Sequence, residues 1–196
     1  STLDERCKKI LRYKYALDLT SRQNVSTTNL VNDVNSQRAE VLKRRLAAGS
    51  ITVIKNNDNT LPIHNLQSRH IAVATIGNEN GTASKFTRRC ADYAEIKRFD
   101  LAKAGSSHAL AEQLHDGHFN TIIIEVGEDN ETNRAALDAV VKKCKNVIVV
   151  ITCKPYDIKN YGNAITHKHV KAVVLTYQNT TLAEDYAAQT IFGGNA

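Results

Sequence analysis

The sequence contains no Met and no Trp, and only 6% of its 196 residues are aromatic. Scarce aromatic residues count against a surface that stacks aromatic rings on sugars. No stretch approaches the roughly 18 consecutive apolar residues of a membrane-spanning helix, so we expect no membrane span. The missing Met, together with an opening that falls within a helical pattern, favours a piece of a longer protein.

Basic residues are in excess but dispersed. The net charge is +6, and the bases cluster only briefly, at 43–45 and 142–143. Binding to nucleic acid requires basic side chains gathered on one face, preferably beside stacking aromatic rings. We therefore predict a solvated basic surface and no nucleic-acid partner.

Residues that bind metals or attack substrates are present without the spacing of a known site. The four cysteines form no C-x-x-C pair and are expected to be buried free thiols: Cys7, Cys90, Cys144 and Cys153. His115 and His118 form H-x-x-H, but Gly117 interrupts the helix and no third ligand is near in sequence. His167 and His169 lie in a basic loop without further ligands. The sequence predicts no metal site and no cofactor.

The second half of the chain alternates apolar runs with helical stretches. The runs are HIAVATIG, EIKRF, NTIIIEVG, NVIVVITC and KAVVLTY, and the helices are expected near 82–91, 106–116, 131–145 and 180–192. Continuous Val and Ile indicate strands that are buried on both faces. Alternation of such strands with helices predicts right-handed βαβ units. We predict an α/β fold: a doubly wound, mainly parallel sheet of five or six strands with helices on both faces, as in a flavodoxin-like three-layer sandwich.

The first 50 residues have a different pattern. Thr2 and Glu5 have capping-box spacing, and an apolar helical face follows in "STLDERCKKILRYKYALDL". Residues 20–24 lack apolar side chains and are typical of a linker. A second helix is predicted over 28–48, ending near Gly49, and then a short strand in "SITVIKN". We divide the chain into a terminal helix and linker, 1–24, and an α/β domain, 25–196.

Ligands in such sheets bind at the carboxyl ends of strands, where four loops qualify. In the first loop, Gly77 and Gly81 would let main-chain N–H groups approach an anion, although a simple strand-to-helix turn is favoured. The third loop presents Tyr156 after Pro155, with a structural loop as the default interpretation. The fourth begins a helix that Thr180 or Thr181 caps, with Glu184 at capping-box spacing from Thr181.

The second loop, "EVGEDNETNR", is the most acidic. Its carboxylates are Glu125, Glu128, Asp129 and Glu131. Paired carboxylates serve glycoside hydrolysis, and they also hold hard cations. The favoured alternative is structural: Asp129 or Asn130 caps the following helix, whose dipole attracts acidic residues. The residues alone therefore indicate a doubly wound domain with acidic and tyrosine-bearing loops.

Several segments, in order, resemble glycoside hydrolase family 3. "LDERCKKILRYKYALDL" is similar to the last helix of that family's N-terminal barrel, and "RRLAAGSITVIKNNDNTLPI" is similar to the start of its C-terminal domain. "VIVVITCKPYDI" and "VVLTYQNTTLAEDYAAQTIFGG" resemble the bacterial β-N-acetylhexosaminidase-like branch. Together these matches span nearly the whole chain, whereas residues 77–120 are ordinary α/β sequence.

The resemblance implies a parent enzyme with a (β/α)₈ barrel ahead of this domain. In that branch the nucleophilic Asp and the acid/base His both belong to the barrel, so no catalytic residue is expected in this chain. Glu128, Asp129 and Tyr156 are then candidates to line the substrate cleft. The implied parent removes terminal β-linked N-acetylglucosamine, is secreted or periplasmic, and contacts carbohydrate through its barrel.

Two alternatives stay open. The β-glucosidase branch takes its acid/base Glu from the C-terminal domain, in a loop resembling "GE-PY-E--GD". Glu128 lies at a similar place, but the Pro-Tyr and the later Gly-Asp are absent. The other alternative is a stand-alone flavodoxin-like module that binds a small anion at the Gly77–Gly81 loop.

Overall fold

The structure is a computed structural model that describes residues 2–19, 21, 26–77 and 83–195. It divides into two compact units, Ser1–Val41 and Leu42–Ala196. The boundary falls within a helix, and the assignment of residues 1–24 to a preceding domain stays a prediction. Among the described residues, no helix has both the length and the apolar character needed to cross a bilayer.

The first unit contains helices whose described side chains are largely exposed. Helix α1 is Thr2–Ala16 and α2 is Leu30–Val34, while α3, Gln37–Ser50, continues into the second unit. Acidic residues in the first turn of α1 and Lys14 in its last turn complement the helix dipole. Most of the predicted linker, 20–24, lies outside the described residues; Ser21 is the exception.

The prediction of one continuous helix over 28–48 is wrong. Both the main-chain and side-chain N–H groups of Asn35 donate to the carbonyl of Val31 and end α2. The hydroxyl of Ser36 then accepts from the N–H of Ala39 at the start of α3. Asn35 thus ends α2 and Ser36 begins α3, because both side chains form hydrogen bonds with main-chain groups that would otherwise continue one helix. Gly49 lies within α3 rather than after it.

The second unit is built on a six-stranded sheet with the order β1-β6-β5-β4-β2-β3. The strands are β1 Thr52–Asn56, β2 Ile71–Ile76, β3 Ile96–Asp100, β4 Thr121–Val126, β5 Val147–Ile151 and β6 Val170–Leu175. Strands β2 to β6 are parallel, whereas β1 pairs with β6 in the antiparallel direction. Every residue of β2, β4 and β5 is buried, as the continuous apolar runs predict.

Helices cover both faces of this sheet. They are α4 Lys85–Tyr93, α5 Leu101–Ala104, α6 Ser107–Asp116, α7 Glu131–Lys143, α8 Gly162–Thr166 and α9 Thr181–Phe192. One apolar layer includes Leu114 and Val140 of α6 and α7. The other includes Phe86 of α4 and Ile191 of α9. The predicted α/β doubly wound sandwich is confirmed.

The strand order creates a switch point between β2 and β4. From β2 the chain passes to β3 at one edge and then returns to β4 on the other side of β2. The loops after β2 and β4 approach closely there: Gly127 N–H donates to the carbonyl of Ile76, 2.9 Å away. Gly77 has φ +80°, and a Cβ on it would collide with the Asn133 amide. Glycine is therefore needed at Gly77 for both its conformation and its packing.

Candidate functional site at the switch point

Two cavities open beside the loop that follows β4. The first, about 590 Å³, lies at the ends of β2, β3 and β4 and at the starts of α6 and α7. The second, about 520 Å³, lies at the ends of β4, β5 and β6. Glu128 lines both cavities. Open α/β sheets bind their ligands at such a position, outside the carboxyl ends of the strands.

Glu128 combines a fixed main chain with a free side chain. Its carbonyl accepts hydrogen bonds from Asn133 Nδ2 at 2.9 Å and from the Tyr161 hydroxyl at 3.1 Å. Its side chain is exposed, and the carboxylate has no hydrogen bond or ion pair with any residue that the structure describes. The main chain of Glu128 is therefore fixed, while its carboxylate is free of contacts with the described residues.

Asp129 is adjacent in sequence but is engaged in structural contacts. One carboxylate oxygen lies 3.0 Å from Arg134 Nε, and the other accepts from Asn160 Nδ2 at 2.7 Å. These contacts join α7 to the 3₁₀ segment Pro155–Tyr161. Of the two predicted caps of α7, Asp129 and Asn130, the structure has Asn130, whose Oδ1 accepts from the N–H of Asn133.

Tyr156 lies on the surface of the segment that follows β5, and its place in a substrate cleft stays a prediction. Its side chain is 81% exposed, and it lies outside the linings of both cavities. The buried tyrosine of this segment is Tyr161, whose pKa is raised by burial and by the nearby charge of Asp129. Tyr161 supports the Glu128 loop through its hydroxyl. The segment that contains both tyrosines is a 3₁₀ helix followed by α8 rather than an irregular loop.

Glu125 does not join Glu128 in the open cleft. It lies on β4 with only 3% of its surface exposed, and its Oε2 accepts from Ser84 Oγ at 2.6 Å. Burial raises the pKa of Glu125 to about 8; the Ser84 hydrogen bond opposes this shift, and the charge of Glu184 adds to it. A Glu inside the apolar run "TIIIEV" is the sequence signal that marks such a group.

The expected cap at Thr180 is confirmed, but the expected capping box between Thr181 and Glu184 is wrong. Thr180 is the N-cap, and its hydroxyl accepts from the N–H of Ala183. Glu184 instead accepts from the main-chain N–H of Phe86, 3.1 Å away in the first turn of α4. The helix dipole of α4 favours a carboxylate at that position.

The remaining candidates from the sequence are the glycine loop, the cysteines and the possible metal ligands. Gly81 of the proposed anion loop lies outside the described residues. All four cysteines are free, but the expected burial is wrong for Cys7, which lies on the exposed helix α1; the other three are buried. Burial raises the pKa of both Cys144 and Cys153 to about 11. Within the described ranges, no three His, Cys, Asp or Glu side chains are grouped to hold a metal ion.

No protein-family model matches the sequence, and no curated protein matches it either. Solved structures do match. A β-glucoside phosphorylase, BglX, has a TM-score of 0.67 and 16% identity, covering 99% of this chain and 37% of that one. A glycoside hydrolase family 3 β-N-acetylglucosaminidase from Paenibacillus sp. has a TM-score of 0.61 and 16% identity. The match covers 98% of this chain and 37% of that enzyme.

A fungal multi-domain β-N-acetylglucosaminidase of glycoside hydrolase family 3 matches 87% of the chain, with a TM-score of 0.64 and 19% identity. The chain spans 37% or less of each of these proteins. At such identities the likeness establishes the fold. The chain has the α/β sandwich fold of a domain found in glycoside hydrolase family 3 proteins, as its sequence motifs predict.

Proposed function

We propose that this chain is the non-catalytic C-terminal domain of a family 3 exo-β-N-acetylhexosaminidase that acts on terminal β-linked sugars. It supports a preceding (β/α)₈ barrel and contributes to the wall of the substrate cleft. The observation that carries the proposal is the match to the Paenibacillus enzyme over 98% of this chain but only 37% of that enzyme. The remaining length of such a protein has room for the barrel.

The chemistry of the switch point supports a non-catalytic role. Retaining glycosidases place two carboxyl groups about 5 Å apart, one as nucleophile and one as acid/base. At this edge the carboxylate next to Glu128 belongs to Asp129, which is engaged with Arg134 and Asn160. Glu125 is buried under α4 rather than open to the cleft. A complete catalytic set therefore requires groups from the barrel.

The apolar face of α1 supports a partner domain. Leu3, Ile10 and Leu11 are 57–70% exposed and recur at helical spacing. Contiguous exposed apolar side chains mark surfaces that another protein segment covers. We propose that this face packs on the barrel of the same protein. On the family resemblance alone, we further propose a bacterial, secreted or periplasmic parent, which fractionation of cells expressing the full protein tests.

The second candidate is a β-glucosidase-type domain in which Glu128 is the acid/base. The observation that favours it is the free carboxylate of Glu128, which borders two cavities on a main chain held by two hydrogen bonds. In that case the barrel supplies the nucleophile and Glu128 protonates the leaving group.

Glu128→Gln in the barrel-containing protein separates the two candidates. We expect less than about threefold loss of kcat on a natural disaccharide, because the barrel holds the acid/base. A loss of about 10²- to 10⁴-fold, much smaller on an activated aryl glycoside, would instead identify Glu128 as the general acid. Glu131→Gln is the matched control, since Glu131 lines the first cavity from the start of α7.

A further inference from the structure

A third cavity opens on the α4 face of the sheet, away from Glu128. Its volume is about 390 Å³, and it lies at the carboxyl ends of β2 and β3. Its lining consists of Thr75, Ala83, Thr87, Arg98, Phe99, Asp100 and Lys103. Most of these residues are polar, so the cavity suits a hydrophilic ligand.

The floor of this cavity is made of buried hydroxyl groups. Thr75 and Thr87 are 7% and 3% exposed, and their hydroxyl oxygens lie 3.4 Å apart. Thr87 Oγ1 is also 3.0 Å from Ser84 Oγ, which donates to Glu125. The register places Thr75 directly beside Asp100 on β3 and Glu125 on β4. These hydroxyls are therefore fixed by a network, with the cavity on one side of it.

The rim of the cavity has an excess of positive charge. Arg98 and Lys103 form no hydrogen bond or ion pair with any residue in the described ranges. The one carboxylate in the lining, Asp100, caps α5: its Oδ1 accepts from the N–H of Ala102 at 2.8 Å. Two cations that have no partner among the described residues thus border the same cavity as the buried hydroxyl groups.

We propose that this cavity is a binding site for a small oxyanion, the carboxylate or phosphate group of a small molecule. Arg98 and Lys103 supply the charge and the N–H donors, and the buried Thr75 and Thr87 side chains form the polar floor on which the anion rests. A guanidinium group binds either kind of oxyanion with two parallel N–H donors. The site is separate from the glycosidase proposal and does not depend on a barrel.

The simpler explanation for Arg98 is protection of an exposed edge, because β3 ends the sheet and charged side chains discourage pairing with other chains. Lys97 serves as the control for that explanation. It is the preceding residue on the same edge strand, where side chains alternate between faces, and its ammonium lies over the Phe99 ring. Lys97 does not line the cavity.

Nuclear magnetic resonance titration of the 196-residue chain at low salt tests the proposal, with inorganic phosphate and acetate as separate ligands. We expect saturable shifts at Thr75 and Thr87 with dissociation constants of about 1 mM or tighter. Arg98→Ala should weaken binding about tenfold or more, the loss of a charge-assisted bidentate pair, whereas Lys97→Ala should change it less than about twofold. Binding of either anion supports the proposal, and the tighter one identifies the oxyanion class.

Three results would overturn this site. The first is an absence of saturable binding of both anions. The second is an equal loss of anion affinity in Arg98→Ala and Lys97→Ala. That result would show that binding depends only on the general positive charge of the edge strand. The third is saturation of the same resonances by neutral N-acetylglucosamine without any response to the anions.

Discussion

Glu125 shows how one residue's environment changes its chemistry. Its carboxyl group lies between the Ser84 hydroxyl and the apolar interior, with Glu184 and Cys90 as the other titratable groups near it. Burial disfavours the ionised form, and the charge of Glu184 disfavours it further. With a pKa of about 8, Glu125 is mainly neutral at pH 7.

This pKa predicts that the folded state loses stability as pH rises. The folded-state pKa of about 8 is above the unfolded value of about 4.3, so the folded protein holds a proton that the unfolded chain releases. The stabilising contribution is complete below pH 4.3 and is lost as pH rises through 8. Glu125→Gln removes this dependence and should make the protein more stable than wild type at pH 8, by roughly 1.4 kcal/mol per pH unit above 4.3 as an upper bound.

Urea unfolding at pH 5 and pH 8 measures the effect. The gap in unfolding free energy between Glu125→Gln and wild type should widen toward pH 8. Glu128→Gln is the control, because that side chain is exposed and has no partner among the described residues. An identical pH dependence in wild type and Glu125→Gln would show that Glu125 ionises normally in the fold.

At the scale of elements, the start of α4 brings three polar side chains together. Ser84 caps the helix by accepting from the N–H of Thr87, and it donates to Glu125. Glu184 accepts from the N–H of Phe86, another group in this turn that has no partner within the helix. The start of α4 is thus tied to β4 through the Ser84 hydroxyl and to α9 through the N–H group of Phe86, which has no partner within the helix.

Ser84→Ala should therefore destabilise the fold more than the loss of an ordinary cap. An N-cap serine contributes about 1 kcal/mol, and the hydrogen bond to a buried carboxyl contributes about 1 kcal/mol more. Ser106→Ala is the matched control: the Ser106 hydroxyl caps α6 by accepting from Ala109 and makes no other described hydrogen bond. Chemical denaturation should show a loss about twice as large for Ser84→Ala; equal losses would mean that the Glu125 contact adds nothing.

Most elements are predictable from the sequence because their causes are local. Runs of Val and Ile produce β2, β4, β5 and β6, and Asn130 and Thr180 cap the helices that follow their loops. The antiparallel direction of β1 is a long-range property that its own five residues do not encode. The break before α3 was missed because Asn35 and Ser36 act through main-chain hydrogen bonds rather than through apolar spacing.

The candidate site was predictable only in part. Loops at the carboxyl ends of strands identify Glu128, since parallel strands bring their ends to one edge. Sequence does not reveal which tyrosine of "PYDIKNY" turns inward, because the 3₁₀ turn sets that choice, and it selects Tyr161 over Tyr156. The contact from Glu184 to Phe86 joins residues 98 apart in sequence, so local spacing points to Thr181 instead.

At the scale of the whole molecule, the sheet order decides which loops meet. The switch point between β2 and β4 brings Gly77, Gly127 and Glu128 together, while the oxyanion cavity lies on the α4 face near β3. The molecule thus presents a carboxylate at one place and, at another, two cations that have no partner among the described residues. This separation would allow the proposed cleft wall and the proposed small-ligand site to exist on one domain without sharing residues.

We propose that the groups that break the glycosidic bond lie outside these 196 residues. The most direct measurement is the rate at which the purified chain releases nitrophenol from 4-nitrophenyl N-acetyl-β-glucosaminide, beside the barrel-containing protein. We expect the chain alone to give the same rate as buffer, whereas the longer protein turns over at roughly 1 to 10³ per second, the usual range for enzymes. Turnover by the chain alone that Glu128→Gln abolishes would contradict this proposal.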